Sequence, residues 1–124
     1  MNRPSLLHAD PEPSLRLLMS LELSKAGCLV HSAASLAEAL AILAGSSGIC
    51  VAVISIDREH AWGADLANQI RNRWPAIRTI LTTGASTDDS ALEGLGAFAC
   101  LRKPYTLGEL LDAVSSAAGT GGGT

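Results

Sequence analysis

The spacing of apolar positions changes period repeatedly along this chain, and the changes mark out its elements. Ser5-Leu6-Leu7-His8-Ala9 is a short apolar run ending at Asp10, the length of a buried strand. From Pro13 to Ala26 the spacing turns helical, with Leu15, Leu18, Met19 and Leu23 in register. Pro13 suits a first helical turn and Gly27 the position just past the end. Cys28 to His31 predicts a second strand. Ser35-Leu36-Ala37-Glu38 has the form of a capping box, in which the Ser oxygen takes a backbone N–H three residues on and the Glu reaches back. It opens a helix through Leu43 that stops at Gly45, and Gly45 to Gly48 is a loop. Ile49 to Ile54 is the most apolar run of the chain and rich in β-branched residues, as a central parallel strand should be.

The second half repeats the scheme. Asp57 to Gly63 is a polar loop. Ala64 to Trp74 predicts a helix closed by Pro75. Ile77 to Thr82 is a fourth strand. Thr87 to Leu95 predicts a shorter helix with Asp88 and Asp89 in its first turn, where the helix dipole favours anions. Ala97 to Arg102 is a fifth strand. Thr106-Leu107-Gly108-Glu109 is a second capping box opening a helix to about Ala118. Residues 1–118 are thus one domain, and 119–124 a flexible Gly-rich tail or linker stub.

Strands alternating with helices imply an α/β fold: a five-stranded parallel sheet, doubly wound, with right-handed crossovers. Such folds bind ligands outside the carboxyl ends of the strands. Asp10-Pro11-Glu12, Ser55 to Asp57, Thr82-Thr83-Gly84 and Arg102-Lys103-Pro104 therefore hold the candidate chemistry. The first turn carries no Gly-rich fingerprint, which excludes a dinucleotide site of that kind.

Composition narrows the function classes. A chain of 124 residues with 48% hydrophobic and 17% charged residues folds compactly as one domain. The net charge of −3 and the lack of a Lys/Arg stripe argue against nucleic-acid binding by this chain alone. No apolar run approaches the ~20 residues of a membrane span, and a cytoplasmic location is expected. Cys28, Cys50 and Cys100 are widely spaced and lie in apolar runs, so they read as buried, reduced thiols.

The strand ends, taken together, resemble the receiver domains of two-component response regulators over nearly the whole chain. Gly96-Ala97-Phe98-Ala99-Cys100-Leu101-Arg102-Lys103-Pro104-Tyr105 looks like the family's fifth-strand segment. Thr82-Thr83-Gly84 looks like its fourth-strand end. Ser32-Ala33-Ala34 with Ser35 to Leu40 looks like its second-strand exit and second helix. The resemblance implies the flavodoxin-like (βα)5 strand order 2-1-3-4-5, a role in phosphorelay signalling rather than enzymatic turnover, and a protein partner. That partner is a sensor kinase, an output domain or another signalling protein, and a homodimer stays open.

The departures from the family are chemical. Its acceptor Asp lies about eight residues before a Gly that opens the third helix, and counting back from Gly63 lands on Ser55. Of the family's acidic pair Asp10 remains, with Pro11 as its neighbour and Glu12 following. The aromatic switch position, three before Lys103, is Cys100. Phosphoryl uptake needs a nucleophilic carboxylate, a Mg²⁺ held by hard oxygen ligands, and a Lys with a hydroxyl to take the developing charge. Lys103 and Thr83 keep the last pair. Ser55 lacks a base to activate it. Asp10 and Glu12 are the remaining metal candidates, so Mg²⁺ binding is expected to be weak or absent, and no other cofactor is implied.

The expected function is therefore that of an atypical receiver working by protein–protein contact without phosphorylation. Its partner face takes in Cys100, Arg102, Tyr105, Leu107 and Leu111, with residues near Glu93, as the family's face does. A Lys103–Asp10 ion pair is expected to lock the pocket. Two alternatives stay open. Asp57 could act as a substitute acceptor with Mg²⁺, although a shift of two residues moves it about 6 Å along an extended chain. The pocket or Cys100 could instead sense a small molecule or redox state. Against these stand plainer readings: Asp10 as a helix cap, Thr83 as a structural hydroxyl, His8 as a packed or edge histidine, His60 as a solvated loop histidine, and Trp62 as a loop aromatic covering the pocket or making a contact.

Overall fold

The structure, a computed structural model, describes residues 3–57, 59–84, 92 and 94–119. Its elements are β1 (Ser5–Ala9), α1 (Pro13–Lys25), β2 (Leu29–Ala33), α2 (Leu36–Gly45), β3 (Ile49–Ile56), α3 (Trp62–Arg73), β4 (Arg78–Thr83), β5 (Ala99–Arg102) and α4 (Leu107–Ala118). The five strands pair in parallel in the order β2-β1-β3-β4-β5, as the resemblance implies. Most of the helix expected over 87–95, including Asp88, Asp89 and Glu93, lies outside the described residues. So do residues 120–124 of the tail.

Strand alternation sorts the apolar side chains onto two faces. Leu7, Ala9, Ala52, Ile54 and Leu81 pack with Ala39 and Leu43 of α2 and with Leu66, Ala67 and Ile70 of α3. Leu6, Val51, Val53 and Ile80 pack on the other face with Leu23 of α1 and with Leu110, Val114 and Ala117 of α4. Both faces are covered, so β3 is apolar at nearly every position.

The helix ends follow their local chemistry. At α4 the Thr106 oxygen accepts from Glu109 N while the Glu109 carboxylate accepts from Thr106 N. At α2 the Ser35 oxygen accepts from Glu38 N, but the Glu38 carboxylate takes the N–H of Ala34 rather than that of Ser35. Helix α1 ends with Gly27 at φ +100°. Gly27 N bonds Ser24 O, and Cys28 N bonds Leu23 O, the paired closure that a left-handed glycine permits.

Some sequence expectations are corrected. Strand β3 runs two residues past Ile54, because Ser55 and Ile56 pair with Thr82 and Thr83 of β4; ladder bonds outweigh the polar side chain. Trp62 opens α3 instead of standing in a loop, and it packs on the α2/α3 cluster. Of the cysteines only Cys28 is buried. Cys50 is half-buried and Cys100 exposed, on β5 at the edge of the sheet.

Gly63 fixes how the third helix meets the third strand. A Cβ there would stand 2.4 Å from the Ser55 carbonyl oxygen and 3.3 Å from Ile56. The first turn of α3 thus rests on the Ser55 peptide. The interval between Ser55 and Gly63 is a packing constraint, and this is why it can be counted in a sequence.

Candidate functional site

The carboxyl ends of β1, β3, β4 and β5 gather the polar residues. Asp10 follows β1 and is 3% exposed. Its N–H bonds Ala33 O at 3.1 Å, its Oδ1 accepts Glu12 N at 2.9 Å, and its carbonyl accepts Arg16 Nη1 at 2.8 Å. The cap of α1 is Glu12, whose Oε1 accepts Leu15 N at 2.9 Å, satisfying one of the orphan amides of a helix start. Asp10 is therefore not the cap. Burial raises the Asp10 pKa, while the Glu12 N–H and the Lys103 charge pull it the other way.

On β3, Ser55 is 9% exposed and lies opposite Thr82. Among the described residues no hydrogen bond reaches its hydroxyl, so no base is placed to activate it. His8 lies two residues before Asp10 on β1 and opposite Val53; its Nδ1 is buried without a partner. Thr82 shares a hydrogen bond with the Tyr105 hydroxyl; burial raises the Tyr105 pKa, that bond opposes the rise and the Asp10 charge adds to it.

Thr83 is 1% exposed, and among the described residues its Oγ1 has no hydrogen-bond partner. Its carbonyl accepts Lys103 N at 2.9 Å, which holds the Lys103 backbone at the mouth of the sheet. The Lys103 side chain is exposed, and no ion pair joins it to Asp10 within 4.0 Å among the described residues. The expected lock is absent: the ammonium keeps its hydration and acts on Asp10 and Asp57 at longer range. An orphan hydroxyl in the interior costs stability. Thr83→Val is therefore expected to raise stability by about 1 kcal/mol, read as a higher denaturation midpoint. A loss of similar size would show that the hydroxyl serves the fold.

Asp57 leaves the sheet. Its Oδ1 accepts Glu59 N at 2.8 Å, its Oδ2 lies 3.2 Å from His60 Nδ1, and His60 N bonds its carbonyl. The Glu59 N–H, more than His60 and Lys103, holds its pKa below the usual carboxylate range. Asp57, Glu59 and His60 each bring a ligand atom within 4.8 Å of the others, but the turn itself accounts for these contacts. For Mg²⁺ the donor set fits poorly. One buried carboxylate, Asp10, faces the mouth, Glu12 caps a helix, and Asp57 closes a turn. Mg²⁺ demands near-ideal octahedral oxygen geometry, and Asp10 alone, with one oxygen already accepting from Glu12 N, is the least that such a site can offer.

Sequence reasoning missed Arg16, which clamps the Asp10 carbonyl and whose charge adds, after burial, to the lowering of the His8 pKa. Its only signal is a position one turn after Glu12. Along the expected partner face, Cys100 and Arg102 are exposed on β5, while Tyr105 and Leu111 are half-buried and lean on the α1/α4 cluster. Leu107 is half-buried.

Residues 6–115 match the family model of the response regulator receiver domain. The chain is 31% identical over 120 residues to the response regulator protein PilR of Pseudomonas aeruginosa, covering 94% of this chain and 26% of that protein. It thus spans about a quarter of the length of that curated relative. A receiver domain protein of Clostridium thermocellum shares its structure with TM-score 0.83 at 27% identity, covering 93% of this chain and 94% of the other. A CheY-like receiver domain protein of Methanospirillum hungatei does so with TM-score 0.82 at 21% identity, covering 93% of each.

Proposed function

The chain belongs to the response regulator receiver family, and from that premise we propose that it signals by protein–protein contact without taking up a phosphoryl group. Receiver domains are signalling modules, and no helix of the described residues is long and apolar enough to cross a membrane. The observation that carries the proposal is the residue at the end of the third strand. Ser55 lies in the sheet beneath Gly63, and its interval of eight residues before that Gly supports reading it as the counterpart of the family's acceptor Asp. A neutral hydroxyl with no base beside it is a poor nucleophile. Asp57 does not replace it, because its carboxylate is turned outward and bonded to Glu59 N and His60.

Mg²⁺ binding is correspondingly weak in this reading. The orphan hydroxyl of Thr83 and the free ammonium of Lys103 are the remnant of an oxyanion site that has lost its acceptor. Communication passes instead through β5 and the start of α4. There Tyr105 ties the pocket to the surface by its bond to Thr82, beside Cys100, Arg102, Leu107 and Leu111.

A comparison of variants in the native host tests the proposal. Ser55→Ala and Asp57→Asn leave the signalling output at the wild-type level, whereas Tyr105→Ala lowers it at least several-fold at equal protein abundance. Loss of output in Asp57→Asn with normal folding would favour a working acceptor at that residue.

A further inference from the structure

Helix α1 is apolar on both sides. Leu23 is fully buried and Met19 packs on the α1/α4 cluster, while Leu17, Leu18 and Leu21 are 63%, 49% and 53% exposed. Residues three and four apart share a helix face, so these leucines form one stripe. A contiguous exposed apolar patch of this kind marks an interaction surface. From this stripe and the charges at its two ends we infer that α1 is a self-association face and that its occupant is a second copy of this chain, laid antiparallel about a two-fold axis.

The sequence of α1 complements itself in that arrangement. An axis passing between Leu18 and Leu21 sets Leu18 against Leu21 of the other copy, and the converse, with each Leu17 over the stem of the opposite Glu22. Lys25, 74% exposed, then lies level with Ser14 of the other copy, two residues or about 3 Å from the acidic Glu12. Opposite charges flank the leucines at both ends, and the two helix dipoles oppose one another. The intrachain Lys25–Glu22 contact of 3.7 Å is exposed and offers little resistance to this regrouping.

Area sets the strength. A helix of 13 residues is about 20 Å long and about 10 Å across. Two such outward halves bury on the order of 600 Å² before flanking side chains are added, against roughly 1,000 Å² for a specific, stable contact. An area below that of stable contacts makes the dimer a weak one that forms only at high protein concentration.

Sedimentation velocity from about 10 µM to about 1 mM tests this. The weight-average mass of the wild type rises from one chain toward two. The Leu17→Ser/Leu21→Ser variant stays a monomer throughout with an unchanged circular dichroism spectrum and melting curve, and Lys25→Glu shifts the midpoint several-fold to higher concentration. A wild type that remains monomeric would overturn the inference and leave the stripe to a different partner. Self-association that survives the leucine changes would assign it to another face, and indifference to Lys25→Glu would overturn the antiparallel register.

Discussion

Lowering the pH to 4 is expected to cost this domain about 3 kcal/mol of folding stability through one imidazole, that of His8. His8 is 3% exposed, and its Nδ1 is buried without a partner. Burial first, and the Arg16 charge second, bring its pKa from 6.5 down to about 4. The folded state thus favours the neutral ring. The stability this confers is complete above pH 6.5 and is lost as the pH falls toward 4, because the unfolded chain binds the proton and the folded one resists it. Urea unfolding at a series of pH values measures the slope. His8→Leu should remove most of the dependence between pH 6.5 and 4, leaving only the carboxylates to titrate. Identical slopes for the two proteins would show that the imidazole reaches water in the native state.

Ser55→Asp should destabilise the domain by about 2 kcal/mol at pH 7 and still accept little phosphoryl group. The new carboxylate would sit at a position 9% exposed, on the strand beside the one that ends in buried Asp10. Two acids there raise one another's pKa. Lys103, exposed and outside ion-pair range of Asp10, compensates only in part. The new carboxylate brings no second metal ligand with it: Pro11 offers no side-chain oxygen, and Glu12 is engaged with Leu15 N. Thermal melts read the first effect, and incubation with acetyl phosphate and Mg²⁺ followed by intact mass reads the second. A stable variant phosphorylated to completion would mean that Asp10 alone suffices to hold the ion.

The elements legible in the sequence are those whose signal is local. The Thr106–Glu109 box, Gly27 at the end of α1 and the apolar run of β3 each act within a few residues, and each appears in the structure where its chemistry requires. The strand ends could be placed because Gly63 must touch the Ser55 peptide. What sequence reasoning missed depends on neighbours far along the chain. Strand β3 extends to Ile56 only because β4 offers Thr82 and Thr83. Trp62 is a helix residue that packs on the α2/α3 side of the core. Cys100 is exposed on β5, the strand at the edge of the sheet. A Lys103–Asp10 pair would be needed only if the Lys were buried, since an unpaired buried ammonium is costly, and the Lys103 side chain lies in solvent. Arg16 and the orphan Thr83 oxygen could not be read from spacing at all, since both depend on what a side chain reaches across the β1–α1 turn or fails to reach inside the core.

The mass of the unmodified wild-type protein, taken before and after incubation with acetyl phosphate and Mg²⁺, tests the proposed lack of an acceptor most directly. An unchanged mass under conditions that load an ordinary receiver domain is the predicted result. A gain of one phosphoryl group that disappears in Asp57→Asn or in Ser55→Ala would contradict it.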